Sequence, residues 1–142
     1  MPGEGADAER VLRPIGRGSA ELGDRGDAPR QGDEAPTRAD VIVDAAFAAA
    51  LDGIDVGDRL VVLTWLHLAD RSTTTVRPRN DLARGLTGVF ATRSPDRPNP
   101  IGLHEVIVVD LDGTTVGVQG LEAVDGTPVV DLKPVLGPVD ER

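Results

Sequence analysis

Leu103-His-Glu-Val-Ile-Val-Val-Asp-Leu-Asp-Gly-Thr-Thr-Val-Gly-Val118 decides how the chain reads as a fold. Two apolar, β-branched runs, Leu103 to Val109 and Thr114 to Val118, flank Asp112-Gly113. β-Branched side chains suit a pleated, half-buried surface, and Asp-Gly is a strong hairpin-turn signal. The stretch therefore predicts an antiparallel hairpin. Further short runs of the same kind lie on both sides of it. Arg59 to Leu66 predicts a buried strand, Ser72 to Val76 a second and Gly88 to Thr92 a third, while Thr127 to Leu132 predicts the last. Towards the N-terminus, Val11 to Ala20 and Asp40-Val41-Ile42-Val43 predict two more. The exception is alanine-rich Ala45 to Leu51, helix-prone, with Asp44 as N-cap and Gly53 as stop. Many short strands with one or two short helices predict a mainly β fold, a small antiparallel β-barrel.

Residues 1–10 are weakly hydrophobic and charged, and predict a flexible tail. Residues 11–138 predict a single domain, with no internal repeat and no linker. Gly23 to Thr37, rich in Gly, Asp, Arg and Pro, predicts a long loop, of a length that tends to be functional or disordered.

Composition narrows the chemistry. At 142 residues the chain can bury a real core, but only Phe47, Phe90 and Trp65 are aromatic, so aliphatic side chains and alanine must fill it. With no cysteine there is no disulfide and no thiolate metal site, and His67 and His104 alone do not make a zinc site; no metal is expected. No apolar run approaches the roughly 20 residues that span a bilayer, and no basic-then-apolar leader opens the chain, so a cytoplasmic protein with no membrane partner is expected. The net charge of −9 argues against a general nucleic-acid binder. The distribution says more: Arg71, Arg77, Arg79, Arg84, Arg93 and Arg97 face only Asp81 and Asp96 between residues 71 and 104. A local arginine field on an acidic body can hold an anionic ligand while repelling bulk polyanion.

The segment Gly88 to Leu103 carries prolines at 95, 98 and 100 and arginines at 93 and 97. Proline fixes its own φ and restricts the residue before it, so this loop is stiff before anything binds. A stiff loop loses little entropy on binding and reads as a preorganised pocket wall. No Gly-rich turn after a first parallel strand and no βαβ alternation is present, so composition alone does not point to a nucleotide-type cofactor. Nothing suggests a Ser-His-Asp or Cys-His arrangement.

Gly88–Leu103 resembles the signature of the TrmO/TsaA-like family. Leu121-Glu-Ala-Val-Asp-Gly-Thr-Pro-Val-Val-Asp-Leu-Lys-Pro134 is similar to its second signature. Ala28-Pro29-Arg30-Gln31 resembles its early Pro-Arg-Gln turn, and Trp65-Leu66-His67 the end of a family strand. The four pieces occur in family order across roughly residues 11 to 136. The resemblance implies a small β-barrel, a homodimer, that uses S-adenosylmethionine (SAM) to methylate N6 of threonylcarbamoyl-adenosine beside a tRNA anticodon. It implies cofactor contacts at Pro29, Arg30, Gln31, His67, Leu68, Phe90, Arg93, Leu103, Val124, Asp125, Gly126 and Thr127. It implies substrate contacts at Arg77, Arg97 and Lys133, and a proton acceptor at Asp125 or His67.

These residue types suit the cofactor. A guanidinium makes two charge-assisted hydrogen bonds to a carboxylate, and carbonyls of a Pro-rich loop can surround a sulfonium. Each position also has a plainer reading: Arg30 as a solvated loop residue, His67 as a strand-end histidine bonded to backbone, Arg93 as half of a structural salt bridge. Asp131 and Lys133, two apart on a strand, share a face and can pair with each other or with the arginine cluster. Methyl transfer from a sulfonium is intrinsically facile, so alignment and exclusion of water supply much of the catalysis.

The chain departs from the family where members commonly carry Phe-Ser-His and strand aromatics: it has Gly57-Asp58-Arg59, Val61 and Thr64. Lys-Pro-Tyr is Lys133-Pro134-Val135, and the additional C-terminal domain of some members does not follow Leu136. Base–aromatic stacking is worth roughly 1–3 kcal/mol per base, so these losses fall on the acceptor side. Two alternatives therefore stand beside the tRNA: a small metabolite or natural-product intermediate as acceptor, and a SAM-binding module without catalysis.

Overall fold

A computed structural model describes residues 9–20, 37–78 and 85–137. Its centre is a closed barrel of six antiparallel strands in the order β1-β2-β7-β6-β3-β8. These are β1 (Gly16–Ala20), β2 (Arg38–Val43), β3 (Arg59–Trp65), β6 (Ile101–Asp112), β7 (Thr115–Gln119) and β8 (Pro128–Pro134). A separate two-stranded sheet pairs β4 (Thr75–Val76) with β5 (Thr87–Gly88). The expected hairpin is β6–β7, in which Asp112 faces Thr115 and Gly113 takes the positive φ of +62°.

Strand alternation explains the core. β2 turns Ala39, Val41 and Val43 inward, and β3 turns Leu60, Val62 and Thr64 inward. With Val106, Val108, Val116, Val118 and Val129 these fill the barrel almost entirely with valine. Small branched side chains suit an interior of this width, which leaves no channel. The barrel closes where Gly16 and Arg17 pair with Val129 and Pro128. Two bulges interrupt the ladders: one leaves Val109 unpaired in β6, the other leaves Val130 unpaired in β8.

Several expected elements differ. β1 begins at Gly16, not Val11, since Pro14 cannot donate to a ladder. Only Thr75–Val76 of the 72–76 run is a strand; Ser72 instead bonds through its N–H and hydroxyl to Asp70 Oδ1. Gly88–Thr92 is no strand: after Gly88 the chain turns into a 3-10 segment, Val89–Ala91. Ala45–Leu51 is also 3-10, broken at Phe47 (φ −110°, ψ 16°), and Asp44 caps it through its backbone only. So short a helix gains little from propagation; Phe47 and Leu51 hold it by packing on the core. The loop expected at 23–37 lies outside the described residues up to residue 36, as do residues 1–8 of the expected tail. Among the described residues, no helix is long and apolar enough to cross a membrane.

Candidate functional site

Three stretches far apart in sequence meet at the barrel end where β3 finishes and β6 and β8 begin. Leu66–Ala69 follows β3, Arg93–Arg97 precedes β6, and Glu122–Thr127 precedes β8. Together with the first residues of β6 they enclose a cavity of about 850 Å3.

The proline loop is built by hydrogen bonds as well as by its rings. Arg97 turns its guanidinium back into the loop: Nη1 donates to the carbonyls of Thr92 (3.1 Å) and Ser94 (2.9 Å), and Nη2 to those of Val89 (2.6 Å) and Thr92 (3.1 Å). Of the Val89–Ala91 turn the Val89 carbonyl is held by this side chain, and it also accepts from Thr92 N–H. Ser94 N–H donates to Thr92 Oγ1, and Asp96 N–H to Ser94 Oγ. The loop is then tied to the segment after β3. Asp70 N–H donates to Asp96 Oδ1 at 2.9 Å, Arg71 Nε to the Pro98 carbonyl at 2.7 Å, and Leu66 N–H to the Pro100 carbonyl at 2.8 Å.

Glu122, Ala123, Val124 and Thr127 form another wall, with the Asp125-Gly126 turn behind it. Gly126 has φ +87°, its N–H donates to the Gly18 carbonyl, and Thr127 bonds through Oγ1 and N–H to the Val124 carbonyl. The first four residues of β6, Ile101 to His104, complete the cavity. Gly102 leaves room there: a Cβ on it would lie 2.5 Å from Thr64 Oγ1 and 2.9 Å from His104 Nε2. His104 is half-buried, and its Nε2 lies 3.1 Å from Thr64 Oγ1. Burial pushes the imidazole below its ordinary pKa, against the opposing pull of the Glu122 carboxylate.

Seven of the residues singled out in the sequence line this cavity: His67, Leu68, Arg93, Arg97, Leu103, Val124 and Thr127. Arg93 has neither an ion pair nor a hydrogen bond among the described residues, so the plainer reading of a structural salt bridge has no partner there. Arg97 is spent on the loop itself rather than turned towards a substrate. Asp125 and Gly126 form the turn behind the wall, and the Asp125 carboxylate accepts from Ala20 N–H at 3.1 Å. Phe90 does not line the cavity and is 85% exposed. Arg77, exposed after β4, does not line it either.

Lys133 is not brought to the site. It pairs with Asp131 at 3.0 Å, and its place opposite Val61 puts it further along the barrel than Val129, which faces Thr64. Pro29, Arg30 and Gln31 lie outside the described residues. Among the described residues no group of three or more side chains could hold a metal ion.

His104 and Glu122 were not singled out. Strand period carries the signal for His104: Gly102, His104, Val106 and Val108 share one face of β6. Glu122 lies on an irregular segment and has no such signal.

A family model described as the tRNA-methyltransferase O N-terminal domain matches residues 19–141. A protein of Methanothermobacter thermautotrophicus described as a probable S-adenosyl-L-methionine-binding protein is 38% identical over 135 residues, covering 95% of this chain and 96% of its own. One of the same description from Halobacterium salinarum is 42% identical over 125 residues, covering 87% and 96%. An S-adenosyl-L-methionine-binding protein of Archaeoglobus fulgidus is 36% identical over 123 residues, 87% of each chain. A crystal structure of TrmO superposes with a TM-score of 0.66 at 30% identity, covering 94% of this chain and 60% of that one. This chain thus spans about three-fifths of the solved structure's length.

Proposed function

Since the chain belongs to the tRNA-methyltransferase O N-terminal-domain family, matched from residue 19 to 141, we propose that it is a SAM-dependent N-methyltransferase. In this reading the cofactor is held at the proline-loop cavity, and the acceptor is N6 of threonylcarbamoyl-adenosine beside a tRNA anticodon. The observation that carries it is the meeting of Leu66–Ala69, Arg93–Arg97 and Glu122–Thr127 around one cavity with an unpartnered arginine at its wall.

The donor set suits the cofactor. A volume of about 850 Å3 lies within the roughly 300–1,000 Å3 of small-molecule sites. Leu66, Leu68, Leu103 and Val124 offer apolar faces to an adenine. Arg93 matches a carboxylate, and Glu122 an ammonium or ribose hydroxyls. When bound, SAM supplies a methyl group made electrophilic by the sulfonium.

The chain's own part is alignment and proton handling. The loop pinned by Arg97 keeps Arg93 at the wall without ordering on binding. The acceptor nitrogen must give up a proton, and we assign that proton to an imidazole at the cavity, His67 or His104. His104 is kept neutral by its burial and is therefore able to accept. Asp125, bonded to Ala20 N–H, serves the turn. A homodimer belongs to the same reading.

The net charge of −9 favours a second reading in which the acceptor is a small metabolite. One experiment separates the two. Labelled SAM is incubated with tRNA from cells lacking the modification, and the tRNA is digested into nucleosides. Label in N6-methylated threonylcarbamoyl-adenosine is expected. No label, from protein that binds SAM, removes the tRNA and leaves a small acceptor or a SAM-binding module without catalysis.

A further inference from the structure

Behind the proline loop lies a second cavity, of about 560 Å3, which shares Ile101 with the first. Trp65, the only tryptophan in the chain, stands in its wall at the end of β3. The guanidinium carbon of Arg71 lies 5.0 Å from the centre of the Trp65 ring. Arg71 is not free to turn: Nε donates to the Pro98 carbonyl at 2.7 Å and Nη2 to Asn99 Oδ1 at 3.2 Å. A guanidinium has five N–H donors, so donors remain after these two bonds. Among the described residues Arg10 joins Arg71 in the lining, and no carboxylate does. The bulge in β8 adds Val130, which also lines this cavity. Bulges commonly re-aim a side chain beside a functional site.

We propose that this second cavity is a nucleotide subsite, in which a base stacks on the Trp65–Arg71 pair and its phosphate meets Arg71. Bases stack on aromatic rings and on guanidinium planes, and arginine matches phosphate with charge-assisted bonds. Arg71 keeps N–H donors for an anion entering here, and none of the described lining residues is a carboxylate. Nucleotide binding as such does not depend on the methyltransferase reading. Only the subsite's role rests on it: the shared Ile101 would put this nucleotide next to the cofactor cavity. The same chemistry comes from two sources, a nucleotide within an RNA strand or a free mononucleotide.

Because Trp65 is the only tryptophan, intrinsic fluorescence reports this cavity directly. Wild-type protein without SAM is titrated with AMP, with adenosine and with an oligoadenylate about six nucleotides long. AMP should quench the emission, and adenosine should bind at least about fivefold more weakly for want of a phosphate. Val130→Glu should weaken AMP about tenfold or more, while Val130→Lys should retain or tighten it. Both variants put a long side chain at the same bulge, so a mere packing defect would affect them alike. Unchanged emission up to millimolar AMP, or equal AMP affinity in the two variants, overturns the subsite. SAM affinity by calorimetry is followed in parallel. SAM binding without an AMP response sinks the subsite and spares the methyltransferase reading; an AMP response without SAM binding does the reverse. Both oligoadenylate results support the site: tenfold tighter binding than AMP, about 1.4 kcal/mol, identifies a strand, and equal affinity a free nucleotide.

Discussion

His104 Nε2 stands 3.1 Å from the hydroxyl of Thr64, whose side chain is wholly buried inside the barrel. The two residues sit diagonally on neighbouring strands, since Thr64 pairs with Gly102 and His104 with Val62. Burial makes the imidazole harder to protonate in the folded chain than in the unfolded one, with Glu122 opposing. A base whose pKa is lowered by folding adds stability that is complete above the unfolded value, near 6.5, and is lost as pH falls through the folded value. Urea unfolding between about pH 8 and about pH 5 should therefore show stability falling below about 6.5. His104→Gln should flatten that part of the profile. An identical slope in the variant would exclude His104 as its source.

Gly102→Ala tests the same contact from its other side. The new methyl would meet Thr64 Oγ1 at 2.5 Å, His104 Nε2 at 2.9 Å and Leu66 Cδ2 at 3.2 Å. Overpacking of this kind costs about 1–3 kcal/mol. The urea midpoint should drop with an unchanged slope, and adding His104→Ala should recover part of the loss. A midpoint equal to wild type would mean that the contact has slack.

The hairpin around Asp112-Gly113, the buried strand from Arg59 and the strand at 128–134 were legible because each carries its own local signal. Motif resemblance also singled out His67, Leu68, Arg93, Leu103, Val124 and Thr127, which line one cavity. What was not legible depends on distant partners. Val89–Ala91 reads as a strand by propensity, and it coils where Arg97 collects the carbonyls of Val89, Thr92 and Ser94. Asp131 and Lys133 do pair, as a two-residue spacing allows, but spacing does not say at which end of β8. His104 weighed only as a metal ligand loses its meaning, because its inward face is a matter of strand register. Val130 reads as one more strand valine until the bulge removes it from the ladder.

Arg97→Ala should loosen the proline loop rather than unfold the barrel. It removes four hydrogen bonds, all to loop carbonyls, and leaves the valine core untouched. Lysine, a single ammonium, cannot reproduce the planar fork, so Arg97→Lys should rescue little. Hydrogen exchange should quicken at the amides of Thr92, Ser94 and Asp96 while those of β3 and β8 stay protected. Uniform quickening across the barrel would show that Arg97 supports the whole fold instead.

Arg93 differs from Arg97 in having no partner among the described residues while lining the same cavity. Its removal therefore breaks nothing within the described structure, and any effect falls on a ligand. Arg93→Ala should keep the wild-type urea midpoint and weaken SAM binding by about 1.5–3 kcal/mol, the worth of a hydrogen bond to a charged group. Arg93→Lys keeps the charge without the fork and should fall between the two. Calorimetric titration of SAM into the three proteins decides it. Equal affinity in all three would mean that Arg93 does not hold the cofactor carboxylate.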